Sequence, residues 1–342
     1  MKYNDQTYTI NTNKLVKKFI FLSIIGVLLS LIGFYNDPRF FHSYLVTYLF
    51  FVTLSLGGLF FVLAHHMFGA DWSVALRRFA ENLMMLLPLM LILSIPVIVK
   101  FDSLYVWTDP IKINIEEESS HINHDHSSDK SLDKHSHDDN FWDYHPTMIA
   151  KKAYLNKQFF FVRVAVYFLI WFFLIFRLYK LSINQKVNSN KERLKKTSAL
   201  GIVLFALSGS FFSFDAIMSV DPTWFSTMFG VYIFAGSYFS SVGFIVLVSL
   251  YLRSKHILVD EINNKHYANL GKIAFTFTVF WAYIGGFQYY IIWYGNLPEE
   301  INWFIQRWEG PFKYLSLALI FGHFVVPFSI LIFNKLKRNK AV

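Results

Sequence analysis

Cysteine is absent from this sequence. That excludes disulfides, thiolate-ligated iron–sulfur clusters and covalent haem attachment through CxxCH. Charge is also scarce, at 16% of residues, against 54% hydrophobic residues in a chain of 342. Alternating polar and apolar runs of the kind that build a membrane β-barrel are missing. No cleavable signal-peptide pattern is present either. The first apolar run follows about eighteen polar residues and is not followed by a small-residue cleavage site, so it is expected to remain as a span.

Apolar residues dominate what is there. The chain carries 39 Phe, 19 Tyr and 9 Trp, gathered with the aliphatic residues into long blocks. Length alone would suit two soluble domains, but blocks of this kind belong to a chain solvated by lipid. A span needs about twenty mostly apolar residues. Such runs fall at Phe19–Tyr35, Ser43–Phe68, Ala75–Val99, Phe159–Tyr179, Ser198–Val220, Trp224–Leu252, Ile273–Tyr294 and Tyr314–Phe333. The predicted fold class is therefore all-α, a polytopic transmembrane bundle of about eight spans. Three segments follow: spans one to three in 1–99, a long loop in 100–158, and spans four to eight with a short tail in 159–342. Pro88, Pro96 and Pro327 lie inside spans and are expected to kink them.

The net charge of +9 sits in the loops rather than on an amphipathic face. It is read as an orientation signal, not as a nucleic-acid footprint. With both termini in the cytoplasm, the short inner loops carry most of the Lys and Arg, among them Arg77, Arg78, Lys195, Lys196, Arg253 and Lys255. Trp107, Trp224, Trp303 and Trp308 then cluster at outer boundaries, where amphipathic rings prefer to sit. Asp221-Pro222 and Leu297-Pro298-Glu299-Glu300 have the chemistry of a turn or a helix start.

Four features bear on chemistry. The long outer loop contains His121, His124, His126, His135, His137 and His145 among acidic residues. The spacing matches no closed tetrahedral metal motif, so this stretch reads as a solvated loop, disordered near 119–139 and re-ordered at 141–146. Haem ligation requires histidines at matched depth. His65 and His66 end span two on the inside, whereas His323 lies nearer the outside, roughly 20 Å away along the bundle axis. No metal or bis-histidine haem site is therefore expected.

Ionisable groups at membrane depth are costly and usually face the bundle interior. Arg163 and Asp215 fall at similar depth near the outer ends of spans four and five, where an ion pair between the helices is plausible. That pair reads either as a register-fixing contact or as a proton or quinol-head-group site. Glu81 sits one turn beyond Arg77 at the inner end of span three, either as an interfacial i,i+4 pair or as the start of a proton path. His323, Tyr283, Gln288 and Tyr289 are candidates to continue such a path inward, as a half-channel. Finally, Gly57-Gly58, Gly230 with Gly236, and Gly285-Gly286 provide for close helix packing.

Several longer stretches carry a resemblance. They are His65-His66 followed by Trp72-Ser73-Val74-Ala75-Leu76-Arg77-Arg78; Tyr154-Leu155-Asn156 before Phe159, Phe160 and Arg163; Ser213-Phe214-Asp215 through Met218 to Asp221-Pro222 and Trp224-Phe225-Ser226; and Phe280-Trp281-Ala282-Tyr283 through Gln288-Tyr289 to Ile292-Trp293-Tyr294-Gly295-Asn296-Leu297-Pro298. In these the chain resembles the F subunit of alternative complex III, a bacterial quinol:cytochrome c oxidoreductase, and through it the NrfD or polysulfide-reductase membrane subunits. The similarity runs from span two to span eight. It implies a respiratory-chain subunit in the bacterial cytoplasmic membrane, without redox cofactors of its own, that anchors its complex and takes part in proton translocation. It also implies partner subunits carrying haem c and iron–sulfur clusters, a sister NrfD-like subunit, menaquinol as a candidate ligand and a terminal oxidase as a candidate further partner. The candidate polar groups carried into that reading are Glu81, Arg163, Asp215, His323, Tyr283 and Gln288. A quinol-binding subunit in its own right is the first alternative. A stand-alone secondary transporter is the second, although no internal repeat of the kind common in transporters is evident.

Overall fold

The computed structural model describes residues 12–36, 39–108, 150–183 and 188–337. The histidine-rich stretch and the 141–146 segment lie outside them. Among the described residues there is no strand, and eight helical stretches are long and apolar enough to cross a membrane. These spans are Val16–Tyr35, Phe40–Phe68, Asp71–Val99, Lys157–Ile183, Asn190–Val220, Phe229–Ser254, Asn264–Gly295 and Phe312–Leu331. The chain is a multi-pass membrane protein built as a helical bundle.

Spans two, four, five and six enclose the core. Span two lies against spans three, five and six, and span four lies against span five. Span seven packs on six, and span eight on seven. At the centre Trp171 is fully buried, and its indole N–H donates to Ser208 Oγ at 2.9 Å, joining spans four and five. Spans two and six approach most closely at Gly57. Ser237 and Ser241 of span six donate there to the carbonyls of Thr53 and Leu54, the second at 2.7 Å. Small and hydroxylated residues let the two backbones meet, as is usual inside a bilayer where lipid gives helices little hydrophobic reason to associate.

Three sequence expectations need correction. Span six begins at Phe229 and not at Trp224, because 221–228 forms a loop that folds over the bundle end. Span seven begins at Asn264 and not near Ile273. A reciprocal cap, with the Asn263 side chain accepting from the Lys265 N–H and the His266 ring meeting the Asn263 N–H, starts the helix well before its apolar run. The long loop also begins as folded chain: Phe101, Leu104, Tyr105 and Trp107 are all buried, and the three aromatic rings pack on one another and on Phe160. Trp107 and Trp224 lie just beyond the ends of spans and are buried within the protein.

The prolines act as anticipated. Span three breaks into helices Val74–Met84, Leu87–Leu93 and Ile95–Val99, with Pro88 and Pro96 each in the first turn of a new piece. In span eight the segment Ile320–Val325 widens to a π-helix. Pro327 has no N–H to offer the carbonyl four residues back, which belongs to His323, and the helix accommodates this by widening.

Candidate functional site

Among the described residues, the buried arginines and carboxylates form two clusters at opposite ends of the bundle. At the end that the loop charges assign to the outside, Arg163 and Tyr167 stand one turn apart on span four and so share a face. Across from them Asp215 lies in the last turn of the helix Asn188–Ala216 of span five. The guanidinium grips the carboxylate with two prongs, Nε to Oδ2 at 2.8 Å and Nη2 to Oδ1 at 3.0 Å. The Tyr167 hydroxyl donates to Oδ2 at 2.7 Å. The third guanidinium arm donates to the Tyr154 carbonyl at 2.9 Å, and the rings of Tyr154 and Phe159 flank the cation at 3.8 and 4.4 Å.

The carbonyls at this helix end would otherwise lack partners. Ser219 donates to that of Asp215, and Tyr105 donates to that of Ala216 at 2.9 Å. Asp215 is 0% exposed. Burial pushes the Tyr154 phenol up to about 12, with the Asp215 charge adding to the effect, so the cluster's tyrosine outside the spans stays neutral. The result is a water-excluded, fully engaged ion pair that pins span four to span five.

At the opposite end Glu81 is likewise 0% exposed. Arg77 Nε lies 3.0 Å from one carboxylate oxygen and Arg78 Nη1 lies 2.6 Å from the other. Ser182, at the far end of span four, donates to Glu81 at 2.5 Å. The expected interfacial Arg77–Glu81 pair is therefore a buried one, closed over by span four. Beside it His65 Nδ1 meets Ser73 Oγ at 2.6 Å, and the His65 and His66 rings touch edge to face. Arg78 is half exposed, so its salt bridge works in a high dielectric. Arg78→Ala is expected to cost about 1 kcal/mol or less. Ser182→Ala removes a buried donor from a carboxylate and is expected to cost about 2 kcal/mol. Thermal unfolding in detergent would check this ranking, and the reverse order would show that Glu81 is held from the solvent side.

The remaining candidates do not join these clusters. His323 sits on the widened turn of span eight against Trp281 and Phe239, at ring distances of 4.2 and 4.8 Å. Tyr283 and Gln288 line a separate cavity on span seven, and Tyr289 packs on Phe304. None of these four hydrogen-bonds to Glu81 or Asp215, so the expected half-channel is not assembled by contact among the described residues. Sequence reasoning missed Tyr167 and Ser182 as partners of the carboxylates, Tyr154 as a partner of Arg163 and Tyr105 as the group that closes the end of span five. Only Tyr167 carried a local signal, its i+4 spacing from Arg163.

The outer surface adds one further arrangement. Trp224 stacks flat on Trp303 at 4.3 Å, and the Arg307 guanidinium lies 3.2 Å from the Trp303 ring centre while donating to the Trp303 carbonyl. This sandwich fastens the 221–228 loop to the outer helix Pro298–Trp308. Burial lowers the Arg307 pKa, opposed by Asp221. The chain matches no protein-family model and no curated protein.

Proposed function

We propose that this chain is a membrane subunit of a respiratory quinol:cytochrome c oxidoreductase of the alternative complex III type, set in the bacterial cytoplasmic membrane. It holds no redox centre and serves to anchor the complex. The observation that carries this reading is the coincidence of resemblance and geometry. Tyr154, Arg163 and Asp215 come from two separate stretches of the resemblance, and they meet in one sealed cluster. Spans one and eight, whose apolar surface is not buried within the chain, fit a subunit that is covered by neighbours.

Proton movement through Asp215 or Glu81 is the finer part of the proposal. Each carboxylate is fully buried and held by cationic and hydroxyl groups, a neighbouring helix contributing in both cases, which favours the anchoring role. The quinol-head-group reading of the same pair is weaker, because Asp215 is fully buried, Arg163 nearly so, and the two already grip each other. Extraction in mild detergent, with a haem spectrum and mass spectrometry of the preparation, tests the reading. Haem c and an iron–sulfur protein are expected to accompany the chain. A colourless, single-component preparation that is stable under the same conditions would sink the respiratory assignment and bring forward the transporter.

A further inference from the structure

A cavity of about 440 Å³ lies where span six begins and span seven ends, between the 225–228 loop, span seven and the outer helix. Its size is within the range of small-ligand sites. Phe225, Tyr283 and Phe287 supply aromatic walls, and Gln288 and Glu300 supply polar groups. The cavity opens sideways to the bilayer, since Tyr283, Phe287 and Phe225 are 60%, 51% and 44% exposed. Because spans end here, its depth is that of the lipid headgroups.

Two charges bracket it. Glu300 is partly buried in the first turn of the outer helix and has no cation within ion-pair distance among the described residues. On the Phe225 side, the Lys151 ammonium lies 4.9 Å from that ring's centre and donates to the Pro222 carbonyl at 2.7 Å. An ammonium has three donors, so Lys151 retains two. A carboxylate among aromatic faces suits a small cation. A lysine beyond the Phe225 wall suits an anion joined to that cation by a short linker.

We propose that this cavity binds the headgroup of an amine-bearing glycerophospholipid from the adjoining leaflet, with its ammonium on Glu300 and Gln288 and its phosphate toward Lys151. The acyl chains then run along the exposed face of span seven. A lipid with an anionic, amine-free headgroup can turn its phosphate toward Lys151 but leaves Glu300 without a counter-cation. A primary amine satisfies both the carboxylate and the Gln288 side-chain carbonyl. The inference is independent of the respiratory assignment.

The test uses the full chain in nanodiscs of equal phosphatidylethanolamine and phosphatidylglycerol, with retained lipid counted by native mass spectrometry after partial delipidation. The wild-type protein is expected to retain phosphatidylethanolamine several-fold over phosphatidylglycerol. Glu300→Gln is expected to lower that retention about tenfold, the scale of one charge-assisted hydrogen bond. Lys151→Gln is expected to weaken both lipids without reversing their order. Equal or preferential retention of phosphatidylglycerol by the wild type would overturn the proposal without reference to any variant. So would unchanged retention in a Glu300→Gln protein whose thermal midpoint matches the wild type.

Discussion

Asp215→Ala is expected to lower the stability of the bundle by about 3–5 kcal/mol, the usual consequence of removing one partner from a buried ion pair. The Arg163 guanidinium would keep its position between the Tyr154 and Phe159 rings, but two of its donors would face an apolar gap. The Tyr167 hydroxyl would lose its acceptor as well. Asp215→Asn behaves differently. An amide keeps the shape and one acceptor oxygen, so the helices should remain docked with a smaller loss. Tyr167→Phe deletes a single donor and should cost about 1 kcal/mol. Thermal unfolding of the three variants in one detergent gives the ranking, and an Asp215→Ala protein as stable as the wild type would remove the pair from the scaffold. The Asn variant also separates anchoring from proton movement. If the proposed respiratory role holds and Asp215 carries protons, the proposed complex should assemble while coupling falls. An unchanged proton-to-electron ratio would leave Asp215 with its structural role alone.

Gly57→Val is also expected to be strongly disruptive, at about 3 kcal/mol. A Cβ built on Gly57 would overlap the Ser241 hydroxyl and the Ser237 carbonyl of span six. Neither neighbour can yield cheaply. The carbonyl is backbone, and the Ser241 hydroxyl is held by the carbonyls of Leu54 and Ser237. Spans two and six would have to separate, losing two interhelical hydrogen bonds worth on average about 0.6 kcal/mol each in membrane proteins. Gly209→Ala is the control, because a Cβ there meets nothing within 4 Å. It should be neutral or slightly stabilising, since alanine favours the helix by about 1 kcal/mol over glycine. Size-exclusion profiles and unfolding midpoints would report both, and a well-folded Gly57→Val protein would mean that the span two–six contact is not the tight one.

The clusters illustrate how far a linear reading reaches. The Arg163–Asp215 juxtaposition was legible because both residues sit a similar distance from the ends of consecutive spans, and depth in a bilayer can be counted in residues. The Glu81 environment was only half legible. Arg77 and Arg78 are neighbours on the same helix and follow from i,i+4 and i,i+3 spacing. Ser182 lies a hundred residues away and reaches Glu81 only because the end of span four turns that side chain toward span three. The same limit applies to Tyr105. It was assigned to a polar loop, yet it is buried and closes the end of span five.

By itself the sequence determined the number of spans, their approximate lengths, the kink positions and the exclusion of thiolate-based cofactors. Hydrocarbon thickness, the missing proline N–H and the absence of cysteine act through composition and spacing alone. The tertiary structure decided which carboxylates are sealed, that His323 and Gln288 lie apart from them, and that Glu300, without an ion-pair partner among the described residues, faces an aromatic cavity. Those outcomes depend on how each helix is rotated about its own axis, and in lipid that rotation is set by small-residue contacts and interhelical hydrogen bonds rather than by hydrophobic pattern.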